Sequence, residues 1–298
     1  MSDLIRLQSD VLKADIAPRH GAAIASLAER GTGFALLRPT AEADIAAGNV
    51  RQFGCFPLLP YSNRMGFRRM QFGGRTLTLA ANRPDAPHSF HGNGWMSAWT
   101  AREKQADALT LELRHAGDEH WPFRYEAEQV FRLEGNRFSV SATLFNSGKE
   151  AFPAGGGWHP FFATGAGTTL RFDAERVWLN DEDMLPQQAV AARGDWHFGA
   201  ARALEGVAID NCFDGWSGTA QLMHPASRRR VTLNAGEPLS KLVVFRRPDV
   251  DGFIALEPVS HVNDGINLAA RGHADTGMRI LAPGESLGFS MSITLDRL

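Results

Sequence analysis

Phe138-Ser139-Val140-Ser141-Ala142-Thr143-Leu144 alternates apolar and small polar residues without a break, and that alternation decides the class of fold. Successive side chains of an extended strand point to opposite faces, so a period of two puts Phe138, Val140, Ala142 and Leu144 on one buried face. The same period recurs upstream, where Leu109, Leu111 and Leu113 alternate with Thr110, Glu112 and Arg114. It recurs downstream through Leu287, Phe289, Met291, Ile293 and Leu295. Gly73-Gly74, Glu134-Gly135-Asn136 and Pro283-Gly284-Glu285 lie beside such runs and read as hairpin connections. Helical signals are sparse. Thr40 is positioned to cap one short helix with Glu42 and Asp44 in its first turn and Gly48 as its stop. Short strands joined by Gly- and Pro-containing turns, with no internal repeat and no linker-like tract, predict one all-β domain over residues 1–298, a large antiparallel β-sandwich with few short helices.

The chain has 298 residues, 31 Lys+Arg against 33 Asp+Glu, and 44% hydrophobic residues. A chain of this length buries a large core without needing a metal or disulfides to hold it. A formal net charge of −2 argues against nucleic acid as a partner, because a duplex-binding protein carries a strongly basic face. Cys55 and Cys212 stand apart from each other, which suits a reducing compartment. Asp3, Arg6, Asp10, Lys13 and Asp15 interrupt the N-terminal apolar residues, so no signal peptide is expected. No run of about 18 apolar residues exists to span a membrane. These readings together place the protein in the cytoplasm. Arg228-Arg229-Arg230, the one dense charge run, reads as a solvated face.

Four segments break the alternation: Pro60-Tyr61-Ser62-Asn63-Arg64-Met65-Gly66, His88-Ser89-Phe90-His91-Gly92-Asn93-Gly94-Trp95, Gly155-Gly156-Gly157-Trp158-His159-Pro160-Phe161-Phe162, and Leu256-Glu257-Pro258-Val259-Ser260-His261-Val262-Asn263-Asp264. Each mixes Gly or Pro with ionisable groups, the composition of loops that carry function on a rigid scaffold. A metal site is not expected. His88 and His91 would point to opposite faces of a strand, and neither H-x-H nor H-E-x-x-H occurs. No G-x-S-x-G marks a serine nucleophile and no helix follows the three glycines at 155–157, which instead suit close backbone approach. Glu257 lies between Leu256 and Pro258, where desolvation would raise its pKa towards that of a useful general base. His159 lies in a similarly apolar setting. On spacing alone, a core histidine and a salt-bridged glutamate explain these two residues as well as catalysis does.

In order along the chain, Asn63-Arg64, His91-Gly92 with Trp95 and Trp99, His159-Pro160-Phe161-Phe162, Ile209-Asp210-Asn211-Cys212-Phe213, and Glu257-Pro258 with Asn267 downstream resemble the aldose 1-epimerase (galactose mutarotase-like) family, in its broader bacterial branch. The resemblance implies a supersandwich of two antiparallel sheets and interconversion of the α and β anomers of a monosaccharide. Glu257 then corresponds to the base that removes the C1 hydroxyl proton, and His159 to the acid that protonates the ring oxygen. Asn63, Arg64, His91 and Asp210 correspond to residues that bind the sugar. No cofactor is implied. The implied partner is a small-molecule sugar, and monomer and homodimer are left open.

Departures from the family pattern at Ala163-Thr164-Gly165, at Gly94-Trp95 and across Pro258–Asn267 leave the preference between galactose and glucose open. Asp214 competes with Asp210 as the site acid, whereas His88 and His261 read as rim or structural histidines. Two alternatives accompany the epimerase reading. One is a sugar phosphate or other acidic sugar as substrate, for which Arg68, Arg69 and Arg83 are candidate ligands. The other is a non-catalytic carbohydrate-binding protein, which would have no need of an acid and a base. By analogy with carboxylates that straddle a sugar ring, Glu257 and His159 are expected roughly 5–9 Å apart.

Overall fold

A computed structural model of the chain describes residues 4–249 and 252–298. The Phe138–Leu144 alternation forms the strand Arg137–Phe145, whose exposure alternates along its length. It lies inside a nine-stranded antiparallel sheet, between Tyr125–Glu134 and Ser286–Arg297, in register Phe138 with Ile293 and Leu144 with Leu287. A second sheet of eight strands runs from Pro186–Ala191 through Arg176–Asn180, Ile209–Asp214, Lys241–Arg246 and Phe253–Val259 to the short strands at Gly157–Trp158 and Pro57–Leu58. Phe161–Ala163 also pairs with Phe253–Val259. Ile5–Gln8, Leu12–Ala17 and Ala23–Glu29 form a small third sheet. The all-β sandwich expected from periodicity is therefore what the chain forms.

Pairing register in the second sheet decides where chemistry can sit. Asp210 pairs with Phe245 and Cys212 with Val243. Val243 in turn pairs with Glu257 and Phe245 with Ala255. Paired residues share a face and alternate residues return to it. Asp210, Cys212, Val243, Phe245, Ala255 and Glu257 thus lie on one side, whereas Phe213, Leu242, Val244, Ile254 and Leu256 point to the other. The second set enters the main hydrophobic core with Trp158, Phe162 and Phe289. Cys212, Val243, Phe245 and Ala255 of the first set pack with Phe56, Trp95 and Phe161 in a smaller cluster. The site is built on the face turned away from the main core.

The turns divide by connection. Gly73-Gly74 closes the hairpin Arg69–Phe72 with Arg75–Thr78, and Gly135-Asn136 joins two neighbours of the large sheet. Pro283-Gly284-Glu285 closes no hairpin. The strand before it, Arg279–Leu281, pairs with Phe152–Ala154, and the one after it enters the nine-stranded sheet. The helix Glu42–Ala47 ends at Gly48 in the left-handed region, but its N-cap is Ala41. Thr40 does not cap it, because its hydroxyl donates to the Ala25 carbonyl. A second helix, Gly265–Ala270, has too short a pattern for the sequence to show. Arg229 is not part of a solvated face. It and Arg297 both bind the carboxylate of the fully buried Glu29, at 2.6 Å each, while Arg230 pairs with Asp296. No helix of the described residues is long and apolar enough to cross a membrane.

Phe162 joins the second sheet to the segment around Leu37, and its side chain enters the main core. It is fully buried and pairs with Ile254 on one side and Leu37 on the other. Replacing it with alanine should cost about 3–5 kcal/mol, the range for a phenylalanine lost from a packed core. Urea denaturation of Phe162→Ala should show this as a lower midpoint with unchanged slope.

Candidate active site

The segment Ser62–Phe67 has few strand neighbours, and side chains satisfy its amides instead. Ser62 N–H donates to His261 Nε2 at 2.9 Å, Asn63 N–H to His91 Nδ1 at 3.0 Å, and Phe67 N–H to His88 Nδ1 at 2.9 Å. Arg64 N–H donates to Asn63 Oδ1 and Gly66 N–H to Asp264 Oδ1, both at 2.9 Å. An imidazole nitrogen that accepts carries no proton, so each ring is held in one neutral tautomer. In His91 the remaining proton lies on Nε2, which makes the ring a fixed donor. Asn63 and His91 both have positive φ, 58° and 60°, and are further tied by His91 N–H to the Asn63 carbonyl. Gly92 must be glycine, since a Cβ there would lie 2.0 Å from the Leu59 carbonyl oxygen. The glycines at 155–157 allow the close approach that their sequence suggested: a Cβ on Gly157 would meet the Pro258 carbonyl oxygen at 2.1 Å.

These loops and the outer face of the second sheet enclose a cavity of about 180 Å³ whose lining includes Asn63, Arg64, His91, His159, Asp210 and Glu257. That is small beside the roughly 300–1,000 Å³ of drug-sized sites and fits a small ligand. Phe56, Phe90, Trp95, Phe161 and Phe245 supply apolar walls. A larger groove of about 500 Å³ borders the Arg69–Thr78 hairpin, but Arg75 is the one ionisable side chain among the described residues that line it. Among the described residues no group of His, Cys, Asp and Glu is placed to hold a metal.

At the floor of the cavity His159 Nε2 lies 3.1 Å from Glu257 Oε1, with both side chains nearly inaccessible to solvent. The expected gap of roughly 5–9 Å is not present. The glycosidase analogy, drawn from two carboxyl groups held apart across a sugar ring, does not describe an imidazole and a carboxyl that meet directly. Burial raises the Glu257 carboxyl well above its ordinary range; the nearby Asp210 charge adds to this and Arg64 opposes it. Burial also lowers the His159 imidazole to about 3, with the Arg38 charge acting the same way. The two shifts favour the uncharged form of each partner, with a shared proton on the carboxyl. Phe56 and Phe161 flank the imidazole, at 4.8 and 4.3 Å between ring centres. Arg64 Nη2 binds Asp210 Oδ2 at 2.9 Å, and its Nη1 reaches Asn63 Oδ1 at 3.1 Å.

An acid and a base in contact, beside an Arg–Asp pair and a fixed imidazole donor, sit on a two-sheet sandwich whose segments lie in the order that the sequence suggested. The aldose 1-epimerase family profile matches residues 3–294. The chain belongs to that family. It is 29% identical over 277 residues to the Escherichia coli K12 protein YphB, described as uncharacterised, covering 88% of this chain and 89% of that one. A solved Escherichia coli K12 structure, whose assignment as an aldose 1-epimerase is provisional, superposes with a TM-score of 0.88 at 27% identity over 99% of both chains. A galactose mutarotase-like protein from Clostridium acetobutylicum gives 0.88 at 18% identity, covering 99% of this chain and 95% of that one. At that identity the likeness is one of fold.

Within the family's frame the remaining candidates separate. Asp214 lies outside the cavity lining and binds Lys241 at 3.1 Å. His88 and His261 serve as the backbone acceptors described above. Trp95 lines the cavity while its indole N–H donates to the Phe90 and Gly92 carbonyls. Trp158 instead faces the main core, donating to Gln129. Of the three arginines proposed as anion ligands, Arg83 lines the cavity and Arg68 and Arg69 do not. Arg51, which no motif marked, lines it too. It sits in the turn Val50–Gln52, ahead of Phe56 and Asn63 in the same stretch of chain.

His261 shows how acid should act on this arrangement. Burial lowers its imidazole from 6.5 to about 4. Between those values the unfolded chain binds a proton that the folded chain excludes, so stability is complete above the upper value and falls as pH drops through the window. The loss from this one residue is at most about 3 kcal/mol. Urea midpoints measured at neutral and mildly acidic pH should fall less steeply in His261→Gln, whose amide oxygen accepts without titrating, than in the wild type.

Proposed function

We propose that the protein is an aldose 1-epimerase that interconverts the anomers of a free monosaccharide, with Glu257 as base and His159 as acid. The observation that carries this reading is the 3.1 Å contact of the two side chains in a cavity shared with Arg64 and Asp210. Asn63, Arg64, His91 and Asp210 hold the sugar hydroxyls, the guanidinium as a fork of donors and His91 through Nε2–H. In the empty site the pair's proton rests on Glu257. A sugar hydroxyl donated to the carboxyl, with Arg64 nearby, favours the carboxylate, and the proton passes to His159. Glu257 then takes the proton from O1 while His159 delivers its own to the ring oxygen, and the C1–ring oxygen bond breaks to give the open-chain aldehyde. Rotation about C1–C2 presents the other carbonyl face. Closure returns the proton on Glu257 to O1 and that on the ring oxygen to His159, so the cycle consumes nothing.

One observation favours a second reading, in which the sugar carries an acidic group. Arg51 and Arg83 both line the cavity and share a single carboxylate, Asp85, at 3.6 and 2.7 Å. An anion at the far end of the sugar would meet positive charge there.

Saturation-transfer NMR of anomeric exchange tests both readings on glucose, galactose, xylose, arabinose, galacturonate and glucose 6-phosphate. Glu257→Gln should reduce enzyme-dependent exchange by roughly 10²–10⁴-fold, the contribution of a positioned general base; exchange that survives in Glu257→Gln rules out the assigned base. Exchange confined to acidic sugars, and lost in the Arg51→Ala/Arg83→Ala double variant, would establish the second reading. Exchange of neutral sugars alone would dismiss it.

A further inference from the structure

Behind His159 stands a cation that the acid–base pair does not contact. Arg38 lies between the small sheet and the helix Glu42–Ala47, and its main-chain N–H donates to the Phe161 carbonyl at 2.7 Å. Its guanidinium carbon lies 4.0 Å from the centre of the Phe161 ring and 4.6 Å from that of Phe253. Nη2 donates to the carbonyls of Arg51 and Phe53, each at 3.1 Å. The cation is therefore held by main-chain oxygens and aromatic faces instead of a carboxylate. Phe161 stacks on the imidazole of His159, 4.3 Å between centres and 27° between planes. One ring face accommodates one stacked group, which leaves Phe161 between the guanidinium and the imidazole.

We propose that Arg38 is a positioning residue for His159, fixing the imidazole plane through Phe161 and opposing the arrival of positive charge on that ring. A half-buried cation across a single aromatic ring from an imidazole that is itself buried acts on it through less than the full screening of water. It makes the protonated imidazole a readier proton donor, which is what delivery to a ring oxygen requires. This catalytic consequence rests on the epimerase reading; the electrostatic effect on the ring does not.

The other groups around His159 are few. Glu257 contacts it from the strand Phe253–Val259, and His91 meets it edge-on at 5.4 Å from the loop after Phe90. Phe56 covers one face, and beside it Cys55 has its thiol pushed well up by burial and is uncharged. Arg64 and Asp210 act on Glu257, and Arg83 on His91. Asp44, on the helix Glu42–Ala47, acts on Arg38 itself. Among the described residues, Arg38 is the charge that acts directly against protonation of His159.

The test compares Arg38→Met, which keeps length and apolar contact, with Arg38→Lys, which keeps the charge. Histidine labelled with carbon-13 at Cε1 allows the His159 signal, assigned by its loss in His159→Asn, to be titrated without any substrate. The midpoint in Arg38→Met should lie about one pH unit above that of wild type and Arg38→Lys, the size expected for losing a nearby charge. The acid limb of kcat/KM for anomeric exchange should move by the same amount while KM stays within about twofold. A His159 titration in Arg38→Met that superimposes on wild type, or an equal shift in Arg38→Lys, overturns the proposal. A shifted titration in a protein that exchanges no sugar would uphold the electrostatic role and defeat the epimerase reading instead.

Discussion

A main-chain amide taken out of water without an acceptor costs about 1–3 kcal/mol, and the segment Ser62–Phe67 would bear that cost several times over. Strand pairing is the usual remedy, but here it is confined to the two-residue strand Arg64–Met65 against Ser89–Phe90. The chain satisfies these amides with three imidazoles and an aspartate drawn from other loops, and with the segment's own Asn63. Asn63 and Arg64 are consequently as fixed as residues of a sheet while remaining free to face a ligand. The loops carrying His88, His91 and His261 are tied to the same segment, so the walls of the cavity hold one another in place.

The floor of the cavity obeys a different rule. Glu257 belongs to a central strand of the second sheet, and its position follows from the register that aligns it with Val243 and Cys212. The main core packed behind that sheet, through Leu256 and Val244, anchors the strand that carries the carboxyl. Two ionisable groups buried this deeply are tolerated because they neutralise each other, and the same mutual dependence readies them to exchange a proton.

Much of the scaffold was legible in sequence because period-two alternation is local: Phe138–Leu144 needs no knowledge of its partners to be read as a strand. Glu257 and His159 were legible as unusual residues, since each sits among apolar neighbours before a proline. Their contact was not legible, because it depends on how separate strands align. Arg51 and Arg38 left no sequence signal at all; an arginine in a turn looks the same whether it faces solvent or an aromatic ring. Arg229 misled for the converse reason. Within Arg228-Arg229-Arg230 it reads as surface, yet Glu29, fully buried and remote in sequence, draws it inward. The cap expected at Thr40 failed because the Ala25 carbonyl competed for the hydroxyl.

The strand Ser286–Arg297 lies in the middle of the nine-stranded sheet, between Arg137–Phe145 and Arg229–Ala235, although it is the last of that sheet in chain order. During synthesis the two halves of the sheet therefore emerge with facing edges open, and Glu29 waits beside Arg229 for the second guanidinium that Arg297 brings. Closure joins Ser286–Arg297 to a strand that lies about half the chain earlier, the kind of contact that slows folding. Until then the exposed edges invite pairing with other chains.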